Sequence, residues 1–209
     1  MIKVGIINYG MGNIFSVVNS VKYLGLDFKV IENHKEFSEF THYLLPGVGS
    51  FRVAMNNIKK LGFDEKIEKE INEKKKNLLG ICLGMQLMGA SSNEDGFTQG
   101  LNLIPNKVCK FDIKKLNKIH IPHIGFNTIK IYDKDSKFFE KINQNSDFYF
   151  VHSYRMKIEN FNCNYASCSY GQIFLAAFNK NNLFGTQFHP EKSQSNGLQL
   201  LMNFFKSKC

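Results

Sequence analysis

The sequence predicts an α/β fold with a mostly parallel central sheet, helices on both faces and added antiparallel strands. In the first half of the 209-residue chain, short apolar runs alternate with helix-forming stretches, which is the pattern of βαβ units. In the second half, apolar runs follow one another with few helices between them, which favours antiparallel additions to the sheet. Because we find no linker, repeat or low-complexity tract, we predict a single domain spanning 1–209.

The elements predicted in the first half alternate between strand and helix. From the N-terminus they are strand 2–8, helix 14–24, strands 28–31 and 42–45, helices 53–61 and 64–75, and strand 77–81. Glu, Lys and Ile recur at helical spacing in the helix predicted at 64–75. Because parallel strands end at one edge of a sheet, we expect the functional site beyond their carboxyl ends.

The second half is predicted to contain six strands and a closing helix. The strands cover 108–111, 128–131, 148–151, 166–169, 173–178 and 183–188. The helix covers about 197–206, and its apolar residues Leu198, Leu201, Met202 and Phe205 fall on one face.

The composition limits the classes of protein to which the chain can belong. A hydrophobic content of 43% and 20 phenylalanines exclude a disordered chain. No apolar run approaches the roughly 18 residues that span a bilayer, and the N-terminus does not resemble a signal peptide. Five cysteines without an export signal therefore predict reduced thiols in the cytoplasm. Their spacing lacks a CxxC or histidine pattern, so we predict no metal site.

The net charge of +9 is compatible with binding to nucleic acid. The residues that carry the charge argue against this, because almost all of them are lysines. The only arginines are Arg52 and Arg155, although arginine is the residue best suited to phosphate and base recognition. The lysines are spread along predicted helices and loops. We therefore predict solvated helix surfaces and no nucleic-acid partner.

The most informative segment is 79–88, which reads Leu-Gly-Ile-Cys-Leu-Gly-Met-Gln-Leu-Met. An apolar strand leads into Cys82, and a helix-forming stretch begins at Leu83, which is the arrangement of a nucleophile elbow. Gly80 and Gly84 stand where a side chain would collide with the neighbouring strand or helix. A thiol at a helix N-terminus is also favoured as the reactive thiolate. Cys82 is therefore the candidate nucleophile.

A candidate base and its partner lie near the C-terminus. Strand 183–188 ends at His189, Pro190 stops it, and Glu191 follows two residues after the histidine. A thiol nucleophile needs a base to take and return its proton, and the base needs a group that fixes its ring. Cys82, His189 and Glu191 can supply these three roles.

A glycine-rich loop after the strand at 42–45 is a candidate oxyanion site. It reads Pro46-Gly47-Val48-Gly49-Ser50-Phe51, and its glycines let peptide planes turn inward. Attack on a carbonyl creates an oxyanion that needs backbone N–H donors already in place. The N–H of Leu83, directly after the nucleophile, is a further candidate donor.

Together these segments resemble the class I (triad) glutamine amidotransferases over essentially the whole chain. Within the class, the resemblance is strongest to the glutaminase subunit of imidazole glycerol phosphate synthase. The segments that carry this finer resemblance are Ile6-Ile7-Asn8-Tyr9-Gly10-Met11-Gly12-Asn13, the loop at 46–51, Pro122-His123-Ile124-Gly125-Phe126-Asn127 and Phe150-Val151-His152-Ser153-Tyr154-Arg155.

The resemblance implies the fold of that class and a role for each matching residue. Cys82 would form a glutamyl thioester with L-glutamine, His189 would protonate the leaving ammonia, and Glu191 would orient the imidazole. Val48 and Leu83 would form the oxyanion hole, the former after a reorientation of its loop. The residues implied to hold glutamine are Gly49, Gln86, Glu94, Ser153 and Tyr154. No cofactor is implied.

The resemblance also implies a heterodimer with a HisF-like (β/α)8 cyclase barrel, which receives the ammonia for histidine and AICAR formation. Phe126, Tyr149 and Lys192 would lie at the partner interface or channel. The family usually has tryptophan where this chain has Phe126, so an indole N–H donor is missing here.

Three alternatives remain open at the level of sequence. The glutaminase could feed another synthetase, such as one that amidates a sugar. The chain could be a cysteine hydrolase that acts on a different amide, although Gln86 and Glu94 argue against this. It could also be a non-catalytic docking subunit, which the intact triad disfavours.

Overall fold

The computed structural model describes residues 2–37, 39–112, 120–132, 136–159 and 162–207. Its architecture is α/β, as predicted, and consists of a nine-stranded mixed sheet, a smaller four-stranded sheet and helices. Every strand and helix predicted from the sequence falls within the described residues.

The large sheet joins a parallel half to an antiparallel half. The first five strands in spatial order run parallel, and each later strand runs antiparallel to its neighbour. This confirms the antiparallel additions predicted at 128–131, 148–151, 166–169 and 173–178. The strand predicted at 183–188 was wrongly placed among them, because it joins the parallel half. In spatial order the strands are β2 (Asp27–Ile31), β1 (Lys3–Ile7), β3 (His42–Gly47), β4 (Asn77–Cys82), β13 (Leu183–Thr186), β12 (Gln172–Lys180), β11 (Asn164–Tyr170), β8 (His123–Ile131) and β9 (Asp147–His152).

The small sheet was not predicted, and the strand predicted at 108–111 as an addition to the large sheet belongs to it instead. Its order is β10 (Tyr154–Met156), β7 (Lys107–Lys110), β5 (Ser91–Ser92) and β6 (Thr98–Gln99). Only β7 corresponds to a predicted strand. Two-residue strands carry too little periodicity to be recognised from sequence.

Two of the helices begin at capping side chains that satisfy free backbone donors. The Asn13 side chain accepts from the N–H of Ser16 at 3.2 Å, and Ser50 Oγ accepts from the N–H of Val53 at 3.4 Å. The helices are α1 (Ile14–Tyr23), α2 (Phe51–Lys60), α3 (Phe63–Glu68), α4 (Leu83–Leu87) and α5 (Gln194–Phe205). Among the described residues, none of the helices has the length and apolarity required to span a membrane.

Two predicted helices need correction. The helix predicted at 64–75 divides into α3 and a π-helical turn at Lys69–Glu73. The apolar face of α5 is also rotated from the predicted one, because Leu200 and Phe204 are fully buried whereas Leu198 and Met202 are only partly buried. The buried face of α5 therefore includes Leu200 and Phe204, which are not among the residues predicted for its apolar face.

Apolar side chains cover both faces of the parallel half. Successive residues of a strand point to opposite faces, and Leu44 belongs to one buried cluster while Tyr43 and Leu45 belong to another. Helices α1 and α5 contribute to the first cluster, and α2 and α3 contribute to the second. This arrangement confirms the predicted placement of helices on both faces.

A close backbone contact joins α4 to the sheet. A Cβ added to Gly84 would lie 1.6 Å from the carbonyl oxygen of Leu45, so no side chain fits there. This contact lets α4 pack directly against β3 and fixes the start of α4 at the carboxyl edge of the sheet.

We expect Gly84→Ala to destabilise the fold by at least about 3 kcal/mol, because the added carbon must displace backbone. The free energy of unfolding is measured by urea denaturation followed by circular dichroism. Gly12→Ala is the matched control, since its added Cβ would lie 3.5 Å from the closest atoms. We expect the control to cost about 1 kcal/mol or less; similar losses in both variants would contradict this account.

Candidate active site

Cys82 occupies a sharp turn between strand and helix. It ends β4 and has φ +54° and ψ −110°, a conformation that is unfavourable for a residue with a side chain, and α4 begins at Leu83. The cysteine is 5% exposed. The nucleophile elbow predicted from the sequence is therefore present in the backbone.

His189 and Glu191 form a buried pair beyond the end of β13, which is the parallel neighbour of β4. His189 Nδ1 lies 2.7 Å from Glu191 Oε1, and both side chains are 2% exposed. A carboxylate can only accept, so Nδ1 is assigned the proton and Nε2 remains for exchange with a thiol. Burial alone would lower the pKa of His189, but the neighbouring Cys82 and the Glu191 carboxylate together raise the pKa to about 10. The site therefore favours the imidazolium form of His189.

A cavity of about 330 Å³ opens above the cysteine. It brings together eight of the residues singled out from the sequence: Val48, Gly49, Cys82, Leu83, Gln86, Glu94, Ser153 and Tyr154. Pro122, Val151 and His152 complete the lining. Segments far apart in sequence thus meet at the carboxyl edge of the parallel strands, where the site was expected.

The two candidate oxyanion donors differ in whether the N–H group is already hydrogen-bonded. Leu83 is the first residue of α4, so helix geometry gives its N–H no acceptor within the helix. The N–H of Val48 donates to the carbonyl of Met11 at 3.3 Å. Val48 is therefore already hydrogen-bonded in this conformation, and its loop must turn before it can serve an oxyanion.

Glu94 is held at the rim of the cavity. Its Oε2 accepts from the N–H of Phe51 at 2.9 Å. Burial raises the pKa of Glu94 above its usual range, the bond from Phe51 opposes this, and the neighbouring Asp95 adds to the increase. The carboxylate is therefore destabilised until a cation approaches it, as expected of a site for an ammonium group.

Gln86 and a residue that the sequence analysis missed, Gln187, link the cavity wall to the nucleophile. Gln86 Nε2 lies 2.9 Å from both the Tyr154 carbonyl oxygen and Gln187 Oε1. Gln187 is fully buried, and its Nε2 lies 3.7 Å from Cys82 Sγ. Gln187 could have been found from the sequence, because it lies two residues before His189 and residues two apart in a strand point to the same face.

A buried histidine pair, also missed, supports the wall of the cavity. His123 and His152 are cross-strand partners on β8 and β9, and their Nδ1 and Nε2 atoms lie 3.0 Å apart. His152 Nδ1 lies 2.8 Å from the carbonyl oxygen of Tyr154 and donates to it. Burial lowers the pKa of His152 to about 3 and that of His123 to about 4, so both are neutral near pH 7.

The three predicted interface residues lie together on the surface. The rings of Phe126 and Tyr149 have centroids 5.6 Å apart, and Lys192 Nζ lies 5.8 Å from the centroid of the Tyr149 ring. Phe126 is 51% exposed and Ile124 is 59% exposed, and the two residues lie on the same face of β8. We call Ile124, Phe126, Tyr149 and Lys192 the aromatic patch.

Sequence comparisons agree with this geometry. A family model described as Glutamine amidotransferase class-I matches residues 5–208. The chain is 43% identical to "Imidazole glycerol phosphate synthase subunit HisH 1" of Campylobacter jejuni subsp. jejuni serotype O:23/36 (strain 81-176), covering 96% of this chain and 98% of the relative. It is 44% identical to subunit HisH of Caldanaerobacter subterraneus subsp. tengcongensis (strain DSM 15242 / JCM 11007 / NBRC 100824 / MB4), with 96% of each chain covered.

Solved structures share the fold at low sequence identity. A crystal structure of a glutamine amidotransferase matches with a TM-score of 0.74 and 14% identity, covering 97% of each chain. A glutamine amidotransferase of Thermotoga maritima matches with a TM-score of 0.67 and 16% identity, covering 99% of each chain. From the family match and the full-length relatives, the chain belongs to the class-I glutamine amidotransferases and, within that family, to the group of HisH subunits.

Proposed function

We propose that the chain is the glutaminase subunit of imidazole glycerol phosphate synthase. It hydrolyses L-glutamine to glutamate and ammonia and delivers the ammonia to a HisF-type cyclase subunit in the cytoplasm. The observation that carries this proposal is that Cys82, which lines the cavity, lies close enough to the buried His189–Glu191 pair to raise the pKa of His189. The chain and its HisH relatives cover one another almost completely, which supports the choice of this subunit.

In the first half of the reaction, the Cys82 thiolate attacks the side-chain carboxamide carbon of glutamine. The C–N bond breaks, His189 gives its proton to the departing nitrogen, and a glutamyl thioester and ammonia result. Glu191 holds the imidazole in the tautomer that presents Nε2 to the thiol and the leaving group.

In the second half, neutral His189 takes a proton from water as the water attacks the thioester. The C–S bond breaks, glutamate leaves, and the thiolate–imidazolium pair is restored. In both halves the carbonyl oxygen gains negative charge, which the N–H of Leu83 and the reoriented N–H of Val48 stabilise. These side chains complete the reaction, so we propose no cofactor or metal.

Glutamine is held by groups on two walls of the cavity. Glu94 pairs with its α-ammonium group, because a cation withdrawn from water requires an opposite charge. Gly49, Gln86, Ser153 and Tyr154 contact the remainder of the substrate. The histidine pair holds the Tyr154 carbonyl in place and thereby keeps this wall in a fixed position.

The aromatic patch is the proposed docking face for the HisF-type barrel. Ile124 and Phe126 expose apolar surface beside Pro122, which lines the active-site cavity, so docking there would place the partner next to the source of ammonia. Because Phe126 has no N–H donor, its contribution to such an interface is apolar contact alone. The proposed assembly is a heterodimer.

The direct test is glutamate release from glutamine by the chain, alone and with the HisF-type barrel plus its ribonucleotide substrate. We expect the partner and its ligand together to stimulate turnover strongly. A rate of glutamate release that is unchanged by this partner would contradict the proposal and would indicate that another synthetase receives the ammonia. Release from other amides in preference to glutamine would indicate a different cysteine hydrolase.

Cys82→Ala should abolish glutamine-dependent activity of the complex but leave its ammonia-dependent activity nearly unchanged. The variant loses the nucleophile, whereas the cyclase still accepts free ammonia. Both activities are measured on the assembled complex. Equal loss of the two would contradict the transfer of ammonia between subunits, and unchanged glutamine-dependent activity would support a docking subunit.

His189→Asn should lower kcat for glutamine hydrolysis by about 10³-fold or more, because it removes the group that transfers protons in both half-reactions. Steady-state glutamate release measures the loss. His34→Asn, a change at an exposed histidine, is the control and should retain full activity. Substantial turnover in the first variant would show that the base is another residue.

Glu94→Gln should raise KM for glutamine by about tenfold to a hundredfold with a smaller change in kcat, since a charge-assisted hydrogen bond is lost. In the unmodified protein, affinity should fall as the pH drops through the raised pKa of Glu94, because the protonated acid no longer attracts an ammonium. The variant should lack this pH dependence. Asp95→Asn is the neighbouring control, and an equal effect there would rule out a specific role for Glu94.

A further inference from the structure

The orientation of two buried amides can be derived from one carbonyl. The Tyr154 carbonyl oxygen can only accept, so the atom of Gln86 that lies 2.9 Å from it is the amide nitrogen. The same nitrogen lies 2.9 Å from the Gln187 side chain, so Gln187 presents its oxygen to Gln86. The nitrogen of Gln187 must then face the other way, toward Cys82, at 3.7 Å from Sγ.

The sulfur of Cys82 therefore has two neighbours besides the histidine. In the thiol form, S–H can donate to the Val151 carbonyl, whose oxygen lies 3.8 Å away. In the thiolate form, that carbonyl cannot bond to the sulfur because both groups are acceptors, whereas the side-chain N–H of Gln187 can donate to the negative sulfur. Gln187 is fully buried, so water does not compete for this bond.

We propose that Gln187 is a further catalytic residue, which stabilises the Cys82 thiolate by donating a side-chain hydrogen bond to Sγ. Gln86 is the positioning residue that fixes the orientation of this amide. Because Gln86 also lines the cavity and binds the Tyr154 carbonyl, the donor to the sulfur is tied to the wall that holds glutamine. This inference rests on the nucleophilic role proposed for Cys82 and adds a donor beyond the triad.

The test is the pH dependence of Cys82 alkylation by iodoacetamide in the full chain, measured by mass spectrometry on the peptide that contains Cys82. The midpoint reports the thiol together with its coupled histidine. In Gln187→Met, which keeps similar volume but has no donor, we expect the midpoint to rise by about one pH unit. In Gln86→Met we expect a smaller rise, because the Gln187 amide loses the partner that orients it.

Gln144→Met is the matched control. Gln144 also makes two hydrogen bonds, to the backbone N–H and carbonyl of Ile131, but it does not line the active-site cavity. Its midpoint should equal that of the unmodified protein. A midpoint unchanged in folded Gln187→Met, or raised equally in Gln144→Met, would overturn the proposal.

Gln187→Asn is a second variant, to be measured if Gln187→Met does not fold. Its amide is one methylene shorter and loses contact with Sγ, so the same rise is expected, and an unchanged midpoint would again overturn the proposal. Alkylation needs neither glutamine nor a partner. A failure of the proposed glutaminase activity is therefore distinguishable from a failure of the Gln187 bond.

Discussion

The site depends on one backbone constraint, which is that the chain leaves β4 and enters α4 at a single residue. Cys82 adopts a positive φ to do so, at an ordinary cost of about 1–3 kcal/mol. The packing of Gly84 against the Leu45 carbonyl holds α4 in place and maintains this turn. The position of the sulfur, the direction of the Leu83 N–H and the reach of Gln86 all follow from where α4 begins.

The neighbouring strand brings the remaining chemistry to the same edge. Because β13 pairs in parallel with β4, Gln187 and His189 emerge beside Cys82. The small sheet contains β10, which begins at Tyr154, and β5, which precedes Glu94, so the proposed substrate wall is built separately from the proposed nucleophile. The proposed catalytic groups therefore lie at the ends of central strands of the large sheet, and the proposed binding groups stand on shorter elements around them.

Local sequence was sufficient where one segment contains the whole signal. The elbow around Cys82, the strand end at His189 and most strands of the large sheet could be predicted because periodicity and glycine spacing are local properties. The two-residue strands and the π-helical turn after α3 have no such signal. The histidine pair and the Gln86–Gln187 contact depend on strands and helices that meet only in the folded chain. The bond from Val48 to Met11 depends on the conformation of a loop, which glycine spacing leaves undetermined.

The central place of β13 has a consequence for the synthesis of the protein. About half of the 209-residue chain lies between the nucleophile and its base, and β13 is the strand that joins the two halves of the large sheet. A nascent chain that has passed Cys82 lacks the strand on which the base, its carboxylate partner and Gln187 depend. Pairing over such a sequence distance is also slow to form. We therefore expect a nascent chain to hydrolyse no glutamine, and to release no ammonia, until residues 183–191 have been synthesised and have folded beside Cys82.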